Sequence, residues 1–398
     1  MRGTIQQRWG IYNPYLVALS IFGTSRLVIV CAIYVAARIV LPVHLSDPIA
    51  LRIISSVSST SWYRYLLRWD SAWYATILNE GYKYDGNDLI QQSVNYYPLY
   101  PLIAKALTIF VSIDGLLALL VVTNVAAALS VLLLFKYVRQ DHGDELALLT
   151  IAFVSFFPTS LFLSAGYTES LALLLILCCF MLLKREQFIL AAAFAGLASV
   201  TRVTGLVLMP VIIWELWCKF GTDYRRFVSY AVFCSILATS GLCLYMFYLW
   251  IAFDSPFAFV TNHAAWEGGS GGIGHNFISA LLLTGFLPFR VYTYPLPTGF
   301  DVWFFLLFLT LILVYRKWLP SSLYLFALGV LILPYLTQTG GPVKFRGMAR
   351  YILLAFPVFI VMAKLCKNRN WLAACIIGLF AALLFMYSAM YAQWYWVD

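Results

Sequence analysis

The chain has 398 residues, 63% of them hydrophobic and 11% charged, with a mean hydropathy of +0.85. Soluble domains carry about a quarter charged residues, so a soluble fold is excluded. The apolar runs are long and continuous rather than alternating, which excludes a transmembrane β-barrel and leaves an all-α polytopic membrane protein. The net charge of +9 reads as Lys and Arg anchoring at a membrane face. No basic-aromatic pattern of the RNA-binding kind is present, so nucleic acid is not an expected partner.

In chain order, residues 1–13 are polar, and the apolar run after them lacks a small-residue cleavage site. The first span is therefore expected to remain as an anchor. Spans are expected at about 15–40, 116–138, 146–165, 170–183, 188–200, 203–218, 228–252, 301–315, 321–338, 351–365 and 371–394, about eleven in all. The pair 188–200 and 203–218 is interrupted at Thr201-Arg202. Broken helices at membrane depth are tolerated where they are buried in protein or line a cavity, so the interruption hints at a site.

Short segments with Arg2/Arg8, Lys136/Arg139, Lys184/Arg185, Lys219/Arg225/Arg226, Arg316/Lys317 and Lys364/Lys367/Arg369 fall on one side, which is expected to be cytoplasmic. The other side receives long loops at 41–115, 253–300 and 339–350, and the C-terminal Trp394, Tyr395 and Trp396 suit its interfacial belt. Residues 49–68 and 98–113 read as interfacial helices within the first loop. The whole chain, 1–398, reads as one integral membrane domain without a convincing internal repeat. Gly268 to Gly274 reads as a flexible segment, not a phosphate loop, because the Lys-Ser/Thr ending is missing. The eight cysteines lie in or beside apolar runs and read as small fillers.

Charge beside a membrane is costly and calls for a reason. Asp70 begins an aromatic-rich turn, with Trp73 and Tyr74 able to share its helical face. It is either a general base or a helix N-cap, and one residue can be both. Arg202 lies between two apolar half-helices and suits an anionic ligand or an ion pair with Glu169. Glu169 opens a span, where the helix dipole favours an acid; it could equally orient Arg202 or a sugar hydroxyl. Lys344, Arg346 and Arg350 place positive charge on the outer side, suited to a phosphate-bearing lipid headgroup or to nonspecific anionic lipid. His263, Trp266 and Glu267 lie in a long outer loop, and His263, His275 and Glu267 do not form a zinc spacing. Aromatic faces suit sugars and arginines suit phosphates, so a lipid-phosphate-sugar substrate fits the set.

Four segments resemble a known family. They are Arg68-Trp69-Asp70 with Gly81-Tyr82 and Tyr97-Pro98-Leu99-Tyr100-Pro101; Tyr167-Thr168-Glu169-Ser170-Leu171; Gly196 to Gly205 with Thr201-Arg202; and Arg350-Tyr351-Ile352-Leu353-Leu354-Ala355-Phe356-Pro357. In order and spacing they resemble the PIG-V-type mannosyltransferases of the GT-C superfamily. Two positions differ from that pattern: Trp73 where eukaryotic members carry His, and His263 where related bacterial sequences commonly carry Gln. The resemblance implies a GT-C fold and mannosyl transfer, with inversion, from a polyprenyl-phosphate mannose donor to a glycan or glycolipid acceptor on the non-cytoplasmic face. It implies Asp70 as base and Arg202, Arg350 and Arg346 as the donor-phosphate group. Trp69, Trp73, Tyr97, Glu169, His263 and Trp266 would bind substrate or support the site. No metal or cofactor is expected, since arginines would do that work. The compact length suggests a bacterial inner membrane. The competing expectation is a transporter or flippase of a lipid-linked sugar, which would show repeated halves and polar residues along several spans. Only Arg26 and Glu215 are possible deeper charges.

Overall fold

The computed structural model describes residues 13–39, 61–267, 299–337, 347–395 and 397. Arg346, Lys344, His275, Trp396, the Gly268–Gly274 run and most of the expected helix at 49–68 lie outside these residues. Every described element is helical or irregular, and no strand occurs among the described residues. Among the described residues, five helices are long and apolar enough to cross a membrane: Pro14–Ile39, Gly115–Phe156, Val203–Phe220, Tyr224–Phe253 and Asn370–Ala392. Shorter apolar helices occupy the other expected spans. The molecule is an all-α polytopic membrane protein.

Helix α1 (Pro14–Ile39) carries Arg26 at mid-length. Its guanidinium donates to Ser160 O at 2.7 Å and Ser155 O at 3.0 Å, and to the hydroxyls of Ser25, Ser160 and Ser164. Those carbonyls belong to a helix end and the turn after it, where backbone acceptors lack intrahelical partners. Arg26 therefore serves as a half-buried cap on a neighbouring helix.

Helix α2 is Asp70–Glu80 and α3 is Leu99–Val111. Helix α3 buries Tyr100, Pro101 and Ala104 while Leu102, Ile109 and Phe110 are exposed, as an interfacial helix would be. Helix α4 (Gly115–Phe156) is one continuous run by hydrogen bonding, but Gly143 breaks it with φ 81° and ψ 176°. That conformation is open to glycine and strained for other residues. The chain turns back at this break, and the stretch after the second leg returns to the first: Thr123 Oγ1 donates to Tyr167 O at 3.1 Å, and Asn124 Nδ2 to Ser164 O at 3.1 Å. The two expected spans at 116–138 and 146–165 are thus the legs of one hairpin. The second leg ends at Phe156 rather than 165, because Pro158 cannot continue the α-helical ladder and opens a 3-10 turn, Pro158–Leu163.

Helices α5 (Glu169–Leu183) and α6 (Phe188–Ser199) follow as a hairpin. The interruption expected at Thr201-Arg202 is present. Arg202 is extended, with φ −156° and ψ 147°, and a 3-10 turn over Val203–Val207 leads into α7 (Leu208–Phe220). Gly205 permits this break: a Cβ there would strike the backbone of Ala198. Helix α8 (Tyr224–Phe253) packs on α6 through glycines, with the Gly241 Cα facing the Gly196 carbonyl closely enough that no Cβ fits. Small residues let membrane helices approach in this way. Helices α9 (Gly299–Val314), α10 (Ser321–Thr337), the short α11 (Met348–Ile352), α12 (Phe356–Cys366) and α13 (Asn370–Ala392) complete the bundle.

Of the expected basic side, Arg2 and Arg8 lie outside the described residues, and three of its lysines join neighbouring segments. Lys184 pairs with Asp141 at 2.6 Å, Lys219 with Glu186 at 2.6 Å, and Lys364 donates to Trp318 O at 2.7 Å. All eight cysteines are free, and four of them are exposed.

Candidate active site

Asp70 occupies the first turn of α2, where free backbone N–H groups favour an acid. It is not the cap. Trp69 holds that position with φ 51° and ψ −115°, a costly backbone for a residue with a bulky side chain. The surroundings hold it there. The Trp69 indole donates to Tyr395 O at 3.3 Å and meets Trp394 edge-on at 5.6 Å. Arg68 is buried, donates to Ala392 O at 3.2 Å, and lies over the Trp394 ring at 4.5 Å. Trp394, expected at the interfacial belt, is instead buried against the residues that precede Asp70. The Asp70 N–H donates to the Tyr167 hydroxyl at 3.3 Å, and that hydroxyl donates to Arg68 O at 3.3 Å.

Four charges from distant segments meet here in alternating sign. Arg350 Nη1 donates to Asp70 Oδ2 at 2.7 Å, and its Nε lies 3.2 Å from Glu169 Oε1. Arg202 Nη1 donates to the same Glu169 oxygen at 2.6 Å and to Thr168 Oγ1 at 3.1 Å. The side chains are 16% exposed for Asp70, 12% for Arg350, 10% for Arg202 and 0% for Glu169. Glu169, held between the two arginines, is thus the most covered member of the row, and Asp70, at one end, the most exposed. Two acids and two arginines cancel in formal charge, which is how such a group survives burial. Rings surround it: Tyr351 lies 4.9 Å from the Arg202 guanidinium, and Tyr167 lies 5.3 Å from that of Arg350. Glu169 Oε2 and Arg202 Nε are buried and have no hydrogen-bond partner among the described residues. Each such orphan costs about 1–3 kcal/mol unless water or a ligand meets it.

Backbone clamps aim Arg350. Its helix α11 starts after Gly347, at φ 71°. The neighbouring Ala349 N–H donates to Asp301 Oδ1 at 2.8 Å, and Thr159 Oγ1 donates to Ala349 O at 2.9 Å.

The aromatic residues divide. Trp73 stacks on Tyr96 at 5.6 Å, and Tyr96 donates to Asp70 Oδ1 at 3.1 Å. Tyr97 packs between Tyr245 and Phe259 at 5.9 and 6.0 Å. Burial raises the phenols of Tyr96 and Tyr97 above their usual range, and the Asp70 charge adds to the rise at Tyr96. His263 is exposed, and none of the four charged residues bonds to it among the described residues. Its neighbour Asn262 is the buried one, taking the Gln92 N–H at 3.2 Å and donating to Ile90 O at 2.7 Å. Trp266 sits on the short turn Ala264–Glu267, and Arg346 lies outside the described residues. No group of three or more His, Cys, Asp or Glu suited to a metal ion occurs among the described residues.

No protein-family model and no curated protein sequence matches the chain. Solved structures similar to it include ArnT from Cupriavidus metallidurans in the apo state, at 15% identity and a TM-score of 0.48, covering 89% of this chain and 60% of that one. An Archaeoglobus fulgidus oligosaccharyltransferase with zinc and sulfate shows 12% identity and a TM-score of 0.43, covering 93% of this chain and 53% of that one. The archaeal oligosaccharyltransferase AglB of that organism, with an inhibitory peptide and a dolichol-phosphate, shows 12% identity and a TM-score of 0.43, covering 94% and 55%. The chain thus spans between 53% and 60% of the length of these three structures.

Proposed function

We propose that the chain is a membrane glycosyltransferase of GT-C type. It would move a sugar, mannose by its motifs, from a polyprenyl-phosphate donor to a glycan or glycolipid acceptor on the non-cytoplasmic face. The observation that carries this reading is the row Asp70–Arg350–Glu169–Arg202, an acid at the open end and two guanidinium groups behind it.

In this reaction Asp70 takes the proton of the acceptor hydroxyl. The hydroxyl oxygen attacks the anomeric carbon from the face opposite the phosphate. The carbon–oxygen bond to the phosphate breaks, and the phosphate leaves with the electron pair. Arg350 and Arg202 stabilise the charge that develops on it. Arg350 exchanges its contact with Asp70 for the phosphate, which leaves the carboxylate able to accept a proton. One displacement with one base inverts the anomeric configuration. Glu169, covered and engaged by both arginines, holds them in register. A transporter path would distribute polar groups along several spans. Arg26 is instead spent on backbone carbonyls and serine hydroxyls.

The test is Asp70→Asn. Transfer per folded molecule from a synthetic polyprenyl-phosphate mannose should fall by about 10²–10⁴, the usual contribution of a positioned base. Full transfer by this variant would remove Asp70 from the base role.

A further inference from the structure

The two oxygens of Asp70 have different partners. Oδ2 faces Arg350, which the donor phosphate would claim, whereas Oδ1 receives the Tyr96 hydroxyl at 3.1 Å. Tyr96 is fixed from three directions. Its ring lies nearly parallel to Trp73, at 5.6 Å and 16°, and meets Tyr74 edge-on at 5.2 Å and 84°. Its carbonyl accepts the Tyr82 hydroxyl at 2.6 Å. Trp73 and Tyr74 stand three and four residues after Asp70 on α2, so the helix that presents the carboxylate also presents the cradle for Tyr96.

We infer that Tyr96 is a positioning residue for Asp70, whose carboxylate it orients through the Oδ1 hydrogen bond when Arg350 turns to the donor phosphate. The inference rests on the reading of Asp70 as the base. Without a second partner, a carboxylate that loses its arginine would be free to rotate about its side-chain torsions. With Tyr96 in place, Oδ1 stays anchored and Oδ2 points at the acceptor hydroxyl. A buried phenol held well above its usual range remains a donor throughout neutral pH. A hydrogen bond donated to the charged form favours that form.

The test uses Tyr96→Phe in the full chain, which keeps the ring and its stack on Trp73. The kcat for transfer should fall about tenfold with KM for the lipid-phosphate donor little changed. The acidic limb of the pH–rate profile should move up by about 0.5–1 pH unit, the shift one modest hydrogen bond supplies. Tyr84→Phe, whose hydroxyl bonds to Asp88 and not to the site, should leave that limb in place. An unshifted limb in Tyr96→Phe would overturn the inference.

A second readout needs no turnover. Tyr96→Phe should lower the melting temperature less in an Asp70→Ala background than in the parent, because the acceptor of the bond is then gone. An equal loss in both backgrounds would mean that Tyr96 acts through something other than Asp70. A smaller loss there, together with full transfer by Asp70→Asn, would leave the hydrogen bond standing and overturn the base reading.

Discussion

Glu169 is the residue whose removal should be felt most in the fold. It is fully buried, and one of its oxygens faces Arg202 at 2.6 Å and Arg350 at 3.2 Å. Glu169→Gln keeps the shape and removes the charge. Arg350 retains Asp70, but Arg202 is left with no carboxylate among its described contacts. Taking about 4 Å between charge centres and an effective dielectric of about 20, the lost attraction is about 4 kcal/mol. Breaking a buried pair by removing one partner typically costs about 3–5 kcal/mol, which agrees. The assay is equilibrium unfolding of the purified chain in mixed micelles. Arg202→Met and the double variant complete a cycle. With Arg202 already gone, Glu169→Gln should cost less by at least about 1.5 kcal/mol, since no stranded cation remains. A loss below about 1 kcal/mol, or the same loss in both backgrounds, would refute the view that Glu169 holds the arginines by charge.

Two further outcomes test the frame around the site. Gly241→Ala places a methyl against the Gly196 carbonyl, so α8 must move off α6; about 2 kcal/mol or more should be lost, whereas Gly23→Ala, which meets nothing within 4 Å, should melt within about 0.5 kcal/mol of the parent. Equal melting of the two glycine variants would mean that the close crossing is not maintained in solution. Arg26→Met removes a donor from the carbonyls of Ser160 and Ser155, the latter keeping the Ser160 hydroxyl, and should cost about 1–3 kcal/mol with kcat of the folded fraction unchanged. A stable Arg26→Met chain with altered sugar movement across vesicles would favour the transporter reading.

Much of the site was legible because charge is scarce in this chain. Asp70, Glu169, Arg202 and Arg350 stood out against apolar surroundings, and the Thr201-Arg202 interruption marked a break that the backbone does make. Of their mutual contacts, the Arg202–Glu169 pair was one of the two readings the sequence offered, and the structure shows it. Asp70 meets Arg350 across 280 positions, and hydropathy carries no information about such a pairing. Tyr96 gave no distinct signal, being one of 26 tyrosines, and Tyr167 entered only as the first residue of a motif, without a role of its own. What sets them apart is their hydroxyls on Asp70, a fact of three dimensions. Trp394 was misplaced for a related reason. An aromatic near a chain end reads as an interfacial anchor. Here a buried arginine, Arg68, supplies a better partner for its face.

The placement of the four charges argues that they do more than stabilise. Asp70 follows the strained Trp69, and Glu169 opens α5 just beyond an irregular stretch. Arg202 occupies the extended residue between α6 and a 3-10 turn, and Arg350 rides a short helix that begins at a left-handed glycine. Every one of them lies at an interruption, and interruptions near a membrane are expensive because each frees backbone groups that must find partners. An ion network meant only to bind helices together could sit on regular turns and avoid that cost. Breaking the helices does one thing regular turns cannot: it brings helix starts and a helix end to one point, with Glu169 and Asp70 where the dipoles favour an acid and Arg202 after the end of α6 where they favour a cation. The backbone thus supplies part of the charge order that the side chains complete. In the proposed reaction a phosphate-bearing donor would meet arginines already aligned, and an acceptor hydroxyl would meet an acid whose direction is set by the helix beneath it.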